Sequence, residues 1–285
     1  MAALIEARGL CKRYGATAAL DNTSFSIEPG RIVGLIGPNG AGKTTALKAI
    51  LGLTPFEGDL SVLGRDPRRE RHDLMQEVCF IADVAVLPRW IKVNQVLDLV
   101  EGVHPRFKKD KAMQFLSRTD IPLTARVKTL SKGMVTQLHL ALVMAIDARL
   151  LVLDEPTIGL DIIYRKEFYA SLLNDYFDAE RTILVTTHQV EEIQNVLTDL
   201  LFINRGRIVL DCSMEEVAER YTEILVGPDQ VDEARALEPI YEQDTFGRKV
   251  LLFEGVGRAE LERFGEARRP SISDLFVAKV KGGRA

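Results

Sequence analysis

Residues 37–45 read Gly-Pro-Asn-Gly-Ala-Gly-Lys-Thr-Thr, and the first eight fit the spacing G-x-x-x-x-G-K-[ST]. Glycines at this spacing let backbone N–H groups turn inward around an anion with no Cβ in the way. The run predicts a phosphate cradle over Gly37, Pro38, Asn39, Gly40, Ala41 and Gly42, continued by Lys43, Thr44 and Thr45. Lys43 is expected to reach β- and γ-phosphates, and the Thr44 hydroxyl to ligate Mg²⁺. A helix beginning near Lys43 would aim its positive end at the same anion. A second constellation, Asp154-Glu155, follows the apolar run Leu150 to Leu153. Adjacent side chains diverge at a strand end, so two acids there can serve two atoms. Asp154 can hold Mg²⁺, directly or through water, while Glu155 faces the attacking water as general base or positioner. Residues 130–134, Leu-Ser-Lys-Gly-Met, form a third. Ser131 can cap the helix that follows, Gly133 lets a backbone approach, and the helix N-terminus attracts an anion.

These groups need rigid supports. Arg31 to Ile36, Leu150 to Leu153 and Thr182 to Val185 are short runs, apolar on both faces and bounded by loops, which is the pattern of buried parallel strands. Helical patterns lie between them, so the predicted fold class is α/β with a mostly parallel sheet. Strand-like pieces near Ile5 and at Phe25 to Ile27, ahead of the Pro29-Gly30 turn, predict an N-terminal antiparallel β layer. Residues 84–138 read as a helical insertion, with Val93, Val96, Leu97 and Val100 at helical spacing. Arg205-Gly206 between two apolar runs signals a hairpin. The expected organisation is one domain over residues 1–212 and a small α+β appendage over 213–285. The appendage has strands at Ile224 to Val226 and Lys249 to Phe253 and a helix capped at Ser271 to Asp274.

Composition narrows the setting. The chain has 285 residues, 46% of them hydrophobic, enough for a substantial core, and a net charge of −4 that gives no reason to expect nucleic acid. The basic stretches Arg65 to Arg71 and Lys108 to Lys111 are interrupted by acids and read as solvated faces. Cys11, Cys79 and Cys212 show neither metal spacing nor a pairing pattern, as in a reducing compartment. No apolar run approaches the roughly 18 residues that span a bilayer. The start, with Glu6 and Arg8, does not read as a signal peptide, so a cytoplasmic location is expected.

The motif set, in its order, resembles the ATP-binding cassette (ABC) family over residues 3 to about 212. LSKGM is similar to that family's signature, usually LSGGQ, and it precedes the Asp-Glu strand at the family's usual short distance. The resemblance implies a P-loop NTPase core, ATP and Mg²⁺ as ligands, and two cassettes, identical or different, stacked head to tail. Ser131, Lys132, Gly133 and Met134 of one would then cover the γ-phosphate held by the other. It further implies that Asp161 lies on the loop crossing the dimer seam, that His188 is the switch histidine at the γ-phosphate, and that Tyr14 stacks on adenine. Two departures stand out. Where the family carries a glutamine contacting Mg²⁺, Asp83 takes its place here and adds negative charge near the phosphates. Lys132 and Met134 replace glycine and glutamine, and Lys132 has two readings, a cation near the facing phosphate or a side chain in water.

The end, Pro-Ser-Ile-Ser-Asp-Leu-Phe, resembles that of cassette ATPases driving bacterial export systems. The function so implied is ATP hydrolysis powering a separate integral membrane permease, with the chain peripheral at the inner face of the cell membrane. The rival from another class is a non-transport cassette acting as a regulatory switch. Many of those carry two cassettes or a strongly basic arm, and this chain has neither.

Overall fold

The computed structural model describes residues 3–81, 87–157, 160–187 and 190–282. Strands β1 (Ile5–Tyr14) and β2 (Thr17–Ile27) pair antiparallel, and β3 (Ile32–Ile36) leads into the phosphate loop. Strand β4 (Glu57–Val62) returns to pair with β1 and completes a three-stranded antiparallel layer. Strands β5 (Val78–Ile81), β6 (Leu150–Asp154), β7 (Thr182–Thr187) and β8 (Asp199–Asn204) run parallel with β3, and β9 (Arg207–Ser213) closes the edge antiparallel to β8. The order β5-β6-β7-β3-β8-β9 makes a mostly parallel α/β sheet beside an antiparallel layer, as the apolar runs predict.

Every residue of β3, β6 and β7 is buried. Strands covered on both faces have no polar side, which is why their sequences read as unbroken apolar runs. Parallel strands also end along one edge of the sheet, where crossover loops can gather polar groups. Ile36, Asp154 and Thr187 terminate β3, β6 and β7 on that edge.

Between β5 and β6 the described residues form helices Val93–Val103, Lys109–Leu116 and Lys132–Met144, with no strand. The last of these is exposed at Lys132 and buried almost continuously from Gln137 to Met144. Its 13 residues span about 20 Å, which holds the LSKGM end away from the sheet that anchors the other end. The basic stretches are tied to acids of this chain, Arg65 to Glu77 at 2.7 Å and Lys109 to Asp98 at 2.5 Å.

Beyond β9, Ser213 caps the helix Met214–Arg220, and β10 (Tyr221–Val226), β11 (Tyr241–Thr245), β12 (Arg248–Glu254) and β13 (Ala267–Arg268) form a small sheet in the order β11-β12-β10-β13. One face of it packs Ile224, Val226, Leu251 and Phe253 into a core of their own. The other face, with Tyr221 and Leu252, joins the main core together with Ile272, Leu275 and Ala278 of the terminal helix Ile272–Gly282. Ser271 opens that helix, with its hydroxyl accepting from the Asp274 amide at 3.0 Å. Strands β4, β5, β11 and β13 were not expected from pattern: β4 carries Gly58 and Asp59, β5 has four residues, β11 is polar and β13 has two.

Candidate functional site

The loop after β3 crosses so close to its neighbours that side chains are excluded. A Cβ on Gly37 would lie 2.3 Å from the Ile203 carbonyl oxygen, and one on Gly42 would lie 2.4 Å from that of Ala19. Gly42 also has φ +113°, a backbone that L side chains rarely adopt. The helix Lys43–Ile50 begins at once, so its unpaired N–H groups open into the loop. The result is a cleft of about 420 Å³, lined by the loop from Pro38 to Thr45 with Ala19, Asp154 and Glu155.

Lys43 is 7% exposed, and its ammonium donates to the carbonyl of Gly37 at 2.6 Å and of Pro38 at 3.4 Å. Burial lowers its pKa, and the Glu155 and Asp154 carboxylates offset part of that shift. Glu155 Oε1 lies 4.0 Å from the ammonium. The ammonium is thus positioned inside the loop, where an anion would take over the role of the carbonyls.

Asp154 is the hub. Its Oδ2 accepts from the Thr44 hydroxyl at 3.1 Å and its Oδ1 from the Thr186 hydroxyl at 2.6 Å. Sheet register explains the second bond: Asp154 on β6 sits directly beside Thr186 on β7, and Thr186 beside Leu35 on β3. The Glu155 amide donates to the Thr186 carbonyl at 3.1 Å and hydroxyl at 3.2 Å. Glu155 itself has φ +51°, a left-handed conformation that is uncommon outside glycine and here turns its side chain off the strand line into the cleft.

This donor set fits Mg²⁺. A hydroxyl and a carboxylate already in contact are hard oxygen ligands of the kind the ion takes, with room left for phosphate and water oxygens. The glycine approaches fit a phosphate, since they leave a cradle that a Cβ would fill.

Gly37, Pro38, Asn39, Gly40, Ala41, Gly42, Lys43, Thr44, Thr45, Asp154 and Glu155 are thus brought to one place. Tyr14 stands at the rim, 51% exposed, with its hydroxyl 3.4 Å from Thr54 Oγ1 and Lys12 over its ring. The Thr54 contact, with help from Lys12 and Thr45, lowers its pKa. Ser131, Lys132, Gly133 and Met134 do not line this cleft. Ser131 is the exposed cap of the helix Lys132–Met144 and accepts from the Met134 amide at 3.2 Å. Asp161 is likewise an exposed cap, accepting from the amides of Ile163 at 2.9 Å and Tyr164 at 3.1 Å. Asp83 and His188 lie outside the described residues. Thr186 is the residue that sequence reasoning left without a part, because its use depends on which strand lies beside β6. Its place in Thr186-Thr187-His188 at a strand end was the available signal.

Comparison with known proteins identifies the family. The family model described as "ABC transporter" matches residues 20–158. The chain is 32% identical over 233 residues to the Nod factor export ATP-binding protein I of Cupriavidus metallidurans, covering 77% of this chain and 74% of that protein. It is 30% identical over 295 residues to the daunorubicin resistance ATP-binding protein DrrA3 of Streptomyces coeruleorubidus, covering 94% of this chain and 93% of that one. A solved ATP-binding subunit of an ABC transporter superposes with a TM-score of 0.68 at 23% identity, over 76% of this chain and 92% of that one.

Proposed function

The chain belongs to the ABC transporter family as one of its ATP-binding subunits, and from that premise we propose that it hydrolyses ATP in a head-to-tail pair to drive an exporter. The observation that carries the reading is the Thr44–Asp154–Thr186 chain of hydrogen bonds at the floor of the glycine-lined cleft. The loop amides and Lys43 hold the triphosphate, and Thr44 with Asp154 holds Mg²⁺. The ion, when bound, supplies positive charge that offsets the charge of the phosphates. Glu155, turned into the cleft beside Lys43, orients the attacking water and accepts its proton.

The pair rests on a separate argument. Ser131 stands exposed and Gly133 half-buried at the N-terminus of a helix, outside the cleft their own chain forms. A helix end presenting amides and a hydroxyl suits a phosphate held by another copy or a related cassette. Asp161 lies on the seam between the two copies, Tyr14 faces the adenine, and Asp83 and His188 complete the site. Residues 1–212 form the cassette and 213–285 an accessory region.

A permease subunit is the partner through which the chain reaches the inner face of the membrane, since no described helix is long and apolar enough to cross one. The helical insertion offers it Trp90 and Val103, 72% and 70% exposed. Export as the direction is supported by the names of the relatives, an exporter of Nod factors and a daunorubicin resistance protein, and by the C-terminal pattern.

Phosphate release by the purified chain tests the reading. Glu155→Gln is expected to slow it by roughly 10²–10⁴-fold while ATP binding persists. Release at the wild-type rate in that variant overturns the assignment.

A further inference from the structure

A second cavity, of about 450 Å³, lies between the C-terminal sheet and the body of the chain and shares no lining residue with the nucleotide cleft. Glu223, Arg268, Arg269 and Asp274 contribute charge to its wall, and Gln194 and Asn195 close it from the body side. Glu223 lies on β10 and alternates with Ile224, so it points away from the small sheet's own core and toward the main one. It is 2% exposed. Arg268 is its cross-strand neighbour on β13 and donates to Oε1 at 2.7 Å. The other oxygen, Oε2, is buried with no hydrogen-bond partner among the described residues. A buried carboxylate oxygen that accepts nothing is unfavourable, and this one belongs to a side chain bordering a polar cavity.

The remaining charges specify the complement. Arg268 neutralises Glu223. Arg269 donates to the carbonyl of Met214 at 3.1 Å, and Asp274 accepts from the Ser271 hydroxyl at 2.5 Å, so both hydrogen-bond to neutral partners. A simple anion entering the cavity would meet two carboxylates, and a simple cation two guanidinium groups. A small molecule carrying both signs meets neither penalty. Its ammonium can pair with the Glu223 and Asp274 carboxylates in the cavity wall while its carboxylate takes the forked donors of Arg269.

We propose that this cavity binds a small zwitterion of amine and carboxylate, the chemistry of a free α-amino acid, and that its occupancy changes the rate of ATP hydrolysis. The second half rests on the function proposed above. The route is short. The terminal helix Ile272–Gly282 packs on the helix Val190–Ile193, and Ser273 donates to Glu191 at 3.0 Å. That helix follows β7, whose Thr186 holds Asp154 in the nucleotide cleft. A ligand gripping Arg269 and Glu223 on one side and Gln194 on the other bears on the same helix.

Calorimetric titration of the full chain, without nucleotide, tests the site. The probes are the common α-amino acids one at a time, with propionate and propylamine as single-charge controls. At least one amino acid is expected to bind with a Kd of about 1 mM or tighter, and neither control is expected to bind in that range. Arg269→Ala, an exposed position that keeps its fold, and Glu223→Gln are each expected to weaken binding by at least about tenfold. Absence of amino-acid binding overturns the proposal, as does binding that survives both substitutions or propionate binding as tightly as the amino acids. Turnover of ATP at saturating amino acid is expected to change by about fivefold, and unchanged turnover in an active chain overturns the coupling. A chain with no turnover at all counts against the ATPase reading, and the titration still decides the site.

Discussion

Asp154 accepts hydrogen bonds from two threonines that reach it from different elements, Thr44 from the helix behind the loop and Thr186 from the neighbouring strand. The two do different work. In the proposed function Thr44 is half of a metal site, while Thr186 is fully buried and holds the carboxylate from behind. Thr186→Val preserves the volume and the β-branch but removes the donor, leaving an oxygen of a 5%-exposed carboxylate without its 2.6 Å bond. Denaturant unfolding is expected to show a loss of about 1–3 kcal/mol. Phosphate release is expected to need more Mg²⁺ for half-maximal rate, because the carboxylate is no longer held toward Thr44. A variant with wild-type stability and Mg²⁺ dependence removes Thr186 from this role. The local sequence marks only a threonine pair at a strand end: the role itself arises from the register that sets Asp154 beside Thr186 across β6 and β7. The left-handed Glu155 is equally silent in sequence, since its φ is set by the strand end and the two bonds to Thr186 rather than by its residue type.

Elements differ in how openly their sequences declare them. The buried parallel strands and the phosphate loop were legible because burial on both faces and a need for glycine each leave a residue-level mark. The helix caps at Ser131 and Ser271 were legible for the same reason, since a hydroxyl at a helix entrance meets amides a few residues on. Strands β4 and β11 were not, because their residues are largely polar and pairing with a neighbour, rather than burial, makes them strands. The cap at Ser131 allows its two duties to be separated. Ser131→Ala removes the bond to the Met134 amide and is expected to lower stability by about 1 kcal/mol. Ser131→Arg adds bulk at an exposed position, so it is expected to leave ATP binding by the single chain intact while abolishing turnover. If Ser131→Arg hydrolyses ATP at the wild-type rate, the helix end does not face a second copy's phosphate.

At the scale of the whole molecule, the C-terminal sheet has two allegiances. Its outer face closes a core of its own around Leu251 and Phe253, whereas its inner face and the terminal helix join the core beneath the main sheet. Phe276 meets Phe202 of β8 edge-on, with ring centroids 5.2 Å apart, and Leu275 beside it is fully buried. Burial of this kind couples the C-terminal residues to β8, and β8 lies beside β3 with its phosphate loop. Unfolding is therefore expected to be one cooperative transition, in which the C-terminal region and the nucleotide cleft are lost together. Leu275→Ala leaves a cavity in the shared core and is expected to cost about 2–5 kcal/mol. That loss should appear in the same transition that ATP shifts upward, because ligand binding and core packing then act on one folded state. Calorimetry separates the alternatives. A mutant in which the C-terminal region melts early, while the ATP-sensitive transition keeps its wild-type midpoint, would show that the inner face contributes nothing to the cassette.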